Sequence, residues 1–475
     1  MKRKRQTFQS VEHQVENKGR RRRKNKDEYD KLDRISALPD DILVYLVSRL
    51  PVKEAVATSV LSRRWQNVGL STMTLRFDPV NFSNLNHFRR YRCRPEEFIE
   101  GECCKYITWV NHVLQQHRGK HIEEFRVSFC LDGRFSSFIN GWIQFAMEKS
   151  VEILELVFYP EVSMRFEQYK FPYKRLGICI PSLGSCGYNI GFKSLKVLKV
   201  RHVGVTGEVL EYFLSSCPLL ERLSVTAAQD LVNLRVVGPL ISLKYLVIHS
   251  CNYLKNIEIR DVNLVSFTYR GFRSTNIVIS NAPLLSEVTV WKDCWQEDFI
   301  RLFFTQCCLS NIEILRLHIH GACIENRALP LLANLKHLEL HVVANYYRAL
   351  HYLNNFLKAS PYLLRLVLKL QLSPGGPSCP EIGEIEEAPD CPHNHLKVVE
   401  IDGYRAHTSA VEHVMYLIKN VVSLEKLVID PVRRWRYLNG VDRPDTELDK
   451  EVKARDHAKE YLKPIIPATV EFVCL

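Results

Sequence analysis

One short pattern of apolar positions returns along the chain from about residue 120. Each copy reads apolar, two residues, apolar, one residue, apolar, with weaker copies at Ile122 and Val151. A single copy is too short to bury its own apolar face, so neighbouring copies must stack. The pattern therefore predicts short strands in one parallel sheet. The ten clear copies begin at Leu195, Leu220, Leu243, Leu264, Leu285, Ile312, Leu335, Leu363, Leu396 and Leu424.

The spacing of these copies defines the class of repeat. Consecutive clear copies begin 25, 23, 21, 21, 27, 23, 28, 33 and 28 residues apart. These intervals match or slightly exceed the leucine-rich-repeat period. The intervals vary, and the asparagine that ladders regular solenoids is missing. We therefore predict an irregular array over residues 120–372, with an ordinary α/β domain built on a leucine-rich parallel sheet as the alternative.

Helical patterns separate several of the copies. Two of them end at Pro218 and Pro361, and a strand pattern follows each proline. A third has four apolar residues at helical spacing, Val411, Val414, Ile418 and Val421. The chain is thus predicted to be of the α/β class. The strands should expose alternate side chains on a concave face, and candidate partner contacts there include Lys196, Lys199 and Arg201.

Residues 38–65, LPDDILVYLVSRLPVKEAVATSVLSRRW, form a compact helical pattern near the start of the chain. Pro39 suits a first helical position, and Asp40 and Asp41 suit the positive end of the helix dipole. Pro51 stops this helix, and shorter helices follow. The apolar surface is wider than three small helices need for their own core, so a partner is expected to cover part of it. Its apolar residues are Ile42, Leu43, Leu46, Val47, Leu50, Val56, Val60, Leu61 and Trp65.

Charge is concentrated at the start of the chain. The formal net charge is +12, and residues 1–31 hold twelve Lys or Arg against five Asp or Glu. We predict a disordered basic tail over residues 1–32. Its two cationic clusters resemble a bipartite nuclear import signal, which predicts a nuclear or nucleo-cytoplasmic protein. The alternative is a solvated tail that binds polyanions weakly. The clusters comprise Lys2, Arg3, Lys4 and Arg5, then Arg20, Arg21, Arg22, Arg23 and Lys24.

The fifteen cysteines favour neither disulfides nor a metal site. The start of the chain lacks the pattern of a secretory signal, and no apolar run is long enough to cross a bilayer, so we expect a reducing compartment and no membrane association. One local cluster combines Cys379, Cys391, His393 and His395, but no second ligand pair stands at zinc-finger spacing. No metal or cofactor is therefore expected.

Three further observations limit the function. Residues 373–392 are rich in Pro and Gly and carry five acidic side chains and no basic one, which predicts an acidic loop inserted between repeats. No G-x-S-x-G elbow, phosphate-binding glycine loop or H-E-x-x-H helix is present, so we expect a non-catalytic protein. No recognised nucleic-acid-binding module follows the basic tail, so no specific nucleic acid is expected as a partner.

The segment DRISALPDDILVYLVSRLPVKEAVATSVLSRRWQNV resembles an F-box in its two Leu-Pro pairs and its SVLSRRW ending. We assign the F-box to residues 33–80. A small helical F-box module followed by an irregular leucine-rich-repeat solenoid is similar to the plant F-box/LRR family. The segment that begins at CPHNH is similar to the FBD region that closes many of these proteins, and we assign residues 393–475 to an FBD-like region that completes the solenoid.

The resemblance implies a substrate-recognition adaptor. F-box proteins bind a SKP-type subunit of a cullin-RING (SCF) ubiquitin ligase, and their repeats hold a protein substrate. The alternative is a repeat protein that assembles with the SKP-type subunit without delivering substrates. By position, the contacts to that subunit would come from Leu38, Pro39, Ile42, Leu43 and Leu46, and from Val60, Leu61, Arg64 and Trp65. Leu43, Leu46 and Trp65 are alternatively core residues of the module.

Overall fold

The computed structural model describes residues 34–79, 96–159, 167–173, 192–271, 275–292, 299–320, 329–344, 346–372, 391–436 and 444–475. The basic tail lies outside these residues, as does the acidic loop except for its last two positions. The chain divides into two compact units, Met1–Val127 and Ser128–Leu475.

The first unit begins with short helices. These are α1 (Asp40–Val47), α2 (Val52–Ala57), a 3₁₀ turn (Thr58–Val60) and α3 (Arg63–Gly69). Pro39 and Pro51 each directly precede a helix. The sequence predicted Pro39 as the first helical residue, but the helix begins one position later, at Asp40. The Ser62 hydroxyl accepts a hydrogen bond from the Trp65 amide and thereby caps α3.

The rest of the first unit pairs a helix with short strands. It contains β1 (Thr74–Phe77), α4 (Glu96–Gln116) and most of β2 (Glu124–Phe129), and β1 pairs in parallel with β2. The Tyr106 hydroxyl on α4 donates to the Phe77 carbonyl over 2.6 Å. The weak motif copy at Ile122 predicted β2, whereas β1 and α4 carried no motif copy and were not predicted.

The second unit combines short helices with many strands. Its helices are α5 (Ser136–Glu148), α6 (Gly207–Ser216), α7 (Phe299–Gln306), α8 (Tyr346–Ala359), α9 (Thr408–Asn420) and α10 (Asp445–His457). Its strands, in chain order after β2, are β3 (Ile153–Phe158), β4 (Tyr169–Lys170), β5 (Val197–Arg201), β6 (Val203–Gly204), β7 (Arg222–Thr226), β8 (Asn233–Val237), β9 (Tyr245–His249), β10 (Asn256–Arg260), β11 (Ser266–Gly271), β12 (Asn276–Ser280), β13 (Glu287–Lys292), β14 (Ile314–His320), β15 (His337–Ala344), β16 (Arg365–Leu372), β17 (Val398–Asp402), β18 (Lys426–Asp430) and β19 (Glu471–Cys474).

One long parallel sheet organises the second unit. Its strand order is β3-β5-β7-β9-β11-β13-β14-β15-β16-β17-β18-β19. The register stacks equivalent motif positions, so Leu198 lies beside Leu223 and Leu223 beside Leu246. The three apolar residues of all ten clear copies are buried, because stacking supplies the neighbours that a single copy lacks. The predicted solenoid with a parallel sheet is therefore confirmed.

Three consecutive short repeats carry a second sheet in place of a helix. β8, β10 and β12 pair in parallel in the order β12-β10-β8, within the intervals of 23, 21 and 21 residues. Helices α6 to α9 lie in intervals of 25 residues or more. In this second sheet the side chain of Asn256 links those of Asn233 and Asn276. A five-residue strand and its turns need fewer residues than a helix.

Left-handed turns end several strands of the long sheet. His202, Ala227 and Ser250 directly follow β5, β7 and β9 with φ angles of 53°, 54° and 53°. Their amides donate to carbonyls at the end of the next strand in the sheet. The chain therefore leaves the sheet at the same level in each of these repeats, and the last residues of the strands stand in one row.

Residues 444–475 close the end of the array. α10 is followed by a π-helical turn (Ala458–Leu462), a 3₁₀ turn (Lys463–Ile465) and β19, which pairs with β18. Arg405 and Glu447 form an ion pair over 2.9 Å, and both side chains are largely shielded from solvent. The Arg455 side chain also donates to the Leu475 carbonyl. These contacts attach the terminal helix to the last strands.

Candidate interaction surfaces

The helical module of the first unit has a small apolar core. Leu43 and Val47 on α1 pack with Ala55 and Val68. Leu43 has 0% exposure, so it is a core residue and has no surface to offer a partner. Leu38 and Trp65 are partly buried against the same core. The contact implied for Leu43 by the resemblance is thus corrected, because α1 turns that edge of its apolar stripe inward.

A larger set of apolar side chains of this module remains exposed. Val60 and Leu61 are 85% and 65% exposed. On α1, Ile42, Tyr45 and Leu46 have the i, i+3, i+4 spacing that places them on one helical face, and all three are exposed. Pro39 is also exposed. We call Ile42, Tyr45, Leu46, Leu50, Val60 and Leu61 the exposed apolar surface.

Arg64 holds the start of the module in place. Its Nε lies 2.7 Å from Asp40 Oδ1, and its guanidinium also donates to the carbonyls of Ser36 and Leu38. The Trp65 indole donates to the Ser36 hydroxyl over 2.8 Å. Arg64 and Trp65 therefore fix the residues that lead into α1. The structure gives both a positioning role within the module.

The long sheet of the second unit has one buried and one open face. We call the strand positions that alternate with the buried motif residues the open face. One row, which lies at or near the carboxyl ends of the strands and which we call the last row, changes from basic through aromatic to acidic across the sheet. In strand order this row contains Arg201, Thr226, His249, Arg270, Trp291, His318, His341, Lys369, Asp402 and Asp430.

Most charges on the open face of β13 to β18 form ion pairs. Arg316 lies between Glu287 and Glu339, and Glu339 also pairs with Lys369. Arg365 pairs with Glu400 on the neighbouring strand. We call this region the mixed strand face. It bears five acidic and four basic side chains, Glu287, Glu339, Glu400, Asp402 and Asp430 against Arg316, Arg365, Lys369 and Lys426.

Burial and the nearby Glu400 carboxylate raise the pKa of Asp402 to about 7. Asp430 is bound differently, because its carboxylate pairs with Arg434 over 3.0 Å and accepts from the Val432 amide. At the basic end of the row, burial and the Arg201 charge lower the pKa of His202 to about 4. His202 is therefore neutral at physiological pH.

Aromatic rings occupy the centre of the last row. Trp291 stacks on His318 with ring centroids 4.2 Å apart, and the Nδ1 atoms of His318 and His341 are 2.8 Å apart. Trp435 follows β18 and reaches the His341 ring at 4.9 Å. Gly403 allows this arrangement, because a Cβ there would lie 2.3 Å from the indole. Its φ of +69° also favours glycine.

The lysines predicted on the sheet have ion-pair partners, whereas the arginine does not. Lys196 pairs with Glu152 over 2.6 Å, and Lys199 lies 3.7 Å from Glu155. Arg201 makes no ion pair with any described residue, and its Nε lacks a hydrogen-bond partner there. The sequence could not distinguish these cases, because Glu152 and Glu155 lie at or just before β3, far from the lysines in sequence.

The Cys/His cluster connects successive repeats. His393 Nε2 lies 2.8 Å from the Ser360 carbonyl, and its Nδ1 faces the Leu396 amide. His395 contacts the Pro361 carbonyl, and the Cys391 amide donates to Asn420. Cys379 lies outside the described residues. Within the described ranges, no three His, Cys, Asp or Glu side chains are arranged to hold a metal ion. None of the helices seen there has both the length and the apolar character to span a membrane.

A small helical module with exposed apolar residues, joined to a leucine-rich-repeat sheet, defines a class of protein-binding chain. Comparisons with protein families match both parts. Residues 35–72 match the F-box domain, and residues 113–475 match the leucine-rich-repeat domain described as At1g61320/AtMIF1, LRR domain. The chain belongs to the family of F-box/LRR-repeat proteins.

Similar proteins occur in Arabidopsis thaliana. The F-box/FBD/LRR-repeat protein At5g22700 is 28% identical over 435 residues, which cover 83% of this chain and 92% of the relative. The F-box/FBD/LRR-repeat protein At2g26030 is 24% identical over 84% of this chain and 92% of its own length. The F-box/LRR-repeat protein At3g03360 is 32% identical over 40% of this chain and 38% of its own length. The domain pair supports an adaptor-type, protein-binding role.

Proposed function

We propose that this chain is a substrate-recognition adaptor of an SCF-type ubiquitin ligase, whose F-box binds a SKP-type subunit through the exposed apolar surface. The observation that carries this proposal is the exposure of Val60 and Leu61. Other apolar residues of the same module form its buried core. Exposed apolar groups on a small module favour association, because a partner removes their surface from water.

The proposed mechanism is tethering. The F-box would attach the chain to the cullin-RING assembly, and the repeats would hold a protein substrate near the carrier protein that is loaded with ubiquitin. Tethering raises the effective concentration of the substrate at the reacting centre, which lies on another subunit. In this role the chain contributes binding and orientation and needs no catalytic side chain of its own.

The SKP-type contact is tested by binding of a purified SKP-type subunit. Val60→Glu with Leu61→Glu should weaken binding at least about 100-fold, because two charges would be buried against an apolar partner. The matched control is Leu240→Glu, which alters a leucine that is 93% exposed in the second unit and should leave binding unchanged. Unaltered binding by the double variant, with its thermal unfolding also unaltered, would refute the proposed surface.

Substrate delivery needs a separate test. Proteins captured by the native chain would be compared for ubiquitination and abundance in cells with the native chain and with the Val60→Glu, Leu61→Glu variant. We expect at least one captured protein to lose ubiquitination and accumulate with the variant. If the SKP-type subunit binds but no captured protein changes, the chain assembles without delivering substrates.

We also propose nuclear entry through the two cationic clusters, which lie outside the described residues. The supporting observation is the spacing of two basic blocks by fourteen residues. Replacing Arg20–Lys24 by alanines should move a fluorescent fusion of the full chain from the nucleus to the cytoplasm. The same replacement at Lys2–Arg5 tests the second block, and an unchanged distribution in both variants would refute a bipartite signal.

A further inference from the structure

The open face of β5, β7, β9 and β11 differs in charge from the rest of the sheet. Its charged side chains are Lys199, Arg201, Arg222 and Arg270, and none of the described open-face positions on these strands is acidic. We call this region the basic strand face. Lys199 lies near Glu155 on β3, whereas Arg201 and Arg222 form no ion pair with a described carboxylate.

The guanidinium groups lie on aromatic rings. Arg201 lies 5.1 Å from the ring centre of Tyr159, Arg222 lies 3.8 Å from that of Tyr245, and Arg270 lies 4.8 Å from that of Trp291. Neither Arg201 nor Arg222 has a described carboxylate within ion-pair distance. Stacking holds a guanidinium flat and leaves its N–H edge available for a carboxylate, which it can bind with two parallel hydrogen bonds.

The mixed strand face limits the kind of anion that fits. Asp402 and Asp430 stand at the far end of the same row that begins with Arg201. A nucleic acid strand carries negative charge along its whole length and would be repelled at that end. A peptide can be acidic over one stretch and neutral or basic over the next, so a protein segment matches the charge of both faces.

From these contacts we propose that the basic strand face binds an acidic segment of a substrate protein, with carboxylates on Arg201 and Arg222. The proposal rests on the proposed adaptor function and names the chemistry of its substrate. Four strands at about 4.8 Å spacing span roughly 14 Å, which an extended peptide crosses in about four residues.

The test uses the full chain bound to a SKP-type subunit and two fluorescent twelve-residue peptides. One peptide contains a central stretch of Asp and Glu, and the other has Asn and Gln at those positions. The native complex should bind the acidic peptide at least about tenfold more tightly. Arg201→Gln with Arg222→Gln should remove this preference. Equal binding of the two peptides, or an unchanged preference in the double variant, would overturn the proposal.

Control variants and a second ligand test whether binding is specific to the basic strand face and to a protein segment. Arg235→Gln with Arg260→Gln removes two exposed arginines from the second sheet and should leave peptide binding unchanged.

Single-stranded RNA of matched length should bind weakly, and tighter binding of RNA than of the acidic peptide would overturn the choice of a protein segment. Val60→Glu with Leu61→Glu, measured without the SKP-type subunit, should retain peptide binding, so failure of one interaction does not imply failure of the other.

Discussion

The F-box module and the repeat array each leave a different kind of group without an internal partner. In the module, Val60 and Leu61 are apolar and exposed, while Arg64 is bound within the module itself. In the array, the apolar motif residues are buried, while Arg201 and Arg222 lack a described carboxylate partner. The two regions are therefore suited to partners of different chemistry.

Because of this difference, the two proposed interactions should respond differently to salt concentration. Burial of apolar surface is little affected by moderate salt, whereas attraction between exposed charges is screened over about 8 Å at physiological ionic strength. The SKP-type interaction should therefore persist at salt concentrations that weaken binding to the basic strand face. Under the proposed function, the chain would then keep its SKP-type contact while a bound acidic segment exchanges.

The largest expected change in the free energy of unfolding comes from truncating a buried apolar residue, in contrast to an exposed one. Phe267→Ala should lower the free energy of unfolding by about 3 to 5 kcal/mol, because it opens a cavity among stacked motif residues. Val60→Ala should change it by less than about 0.5 kcal/mol and should still weaken binding of the SKP-type subunit. Urea unfolding checks both values, and equal destabilisation by the two variants would contradict the contrast.

A smaller effect is expected from the internal contacts of Arg64. Arg64→Ala should destabilise the first unit by about 1 kcal/mol, since its ion pair is solvent-exposed but its bonds to two carbonyls are also lost. Amide exchange at residues 36–40 should accelerate. Arg63→Ala is the control, because the described structure gives the neighbouring exposed side chain no such contacts. Unchanged exchange in Arg64→Ala would refute its positioning role.

The smallest effect concerns a single carboxyl group in the array and depends on pH. The raised pKa of Asp402 means that its protonated form stabilises the fold fully below about pH 4, and that this stabilisation is lost as the pH rises to about 7. Asp402→Asn mimics the protonated form. The variant should match the native chain near pH 4 and exceed its stability above pH 7 by on the order of 1 kcal/mol, after allowance for solvent screening.

Unfolding titrations at pH 4 and pH 8 measure this difference. The exposed Asp449→Asn serves as the control and should show no gain at pH 8 relative to pH 4. A gain for Asp402→Asn that is equal at both values of pH would show that the carboxyl group does not titrate between them.

The repeat architecture could be read from sequence because its cause is local. Three apolar positions per copy and the interval between copies are enough to require stacking. The second sheet was missed although its signal is present in the segments NLRVV, NIEIR and NIVIS, which begin with Asn233, Asn256 and Asn276. The second and fourth residues of each segment are apolar, but each segment is only five residues long and lies between stronger motif copies.

Individual contacts were harder to predict because they depend on tertiary packing. Helical spacing placed Ile42 and Leu43 on one apolar stripe, but only the position of α3 decides that Leu43 faces the core and Ile42 faces solvent. Likewise, the register of the sheet decides that Lys199 lies near Glu155 while Arg201 stacks on Tyr159. Such partners are distant in sequence and have no local signature.

The most direct test of the two-surface account measures both interactions on both double variants at low and physiological salt. Val60→Glu with Leu61→Glu should abolish binding of the SKP-type subunit and retain binding of the acidic peptide. Arg201→Gln with Arg222→Gln should do the reverse, and only peptide binding should weaken as salt rises. Binding of the SKP-type subunit that survives the glutamate substitutions, or that falls with the arginine substitutions, would contradict the account.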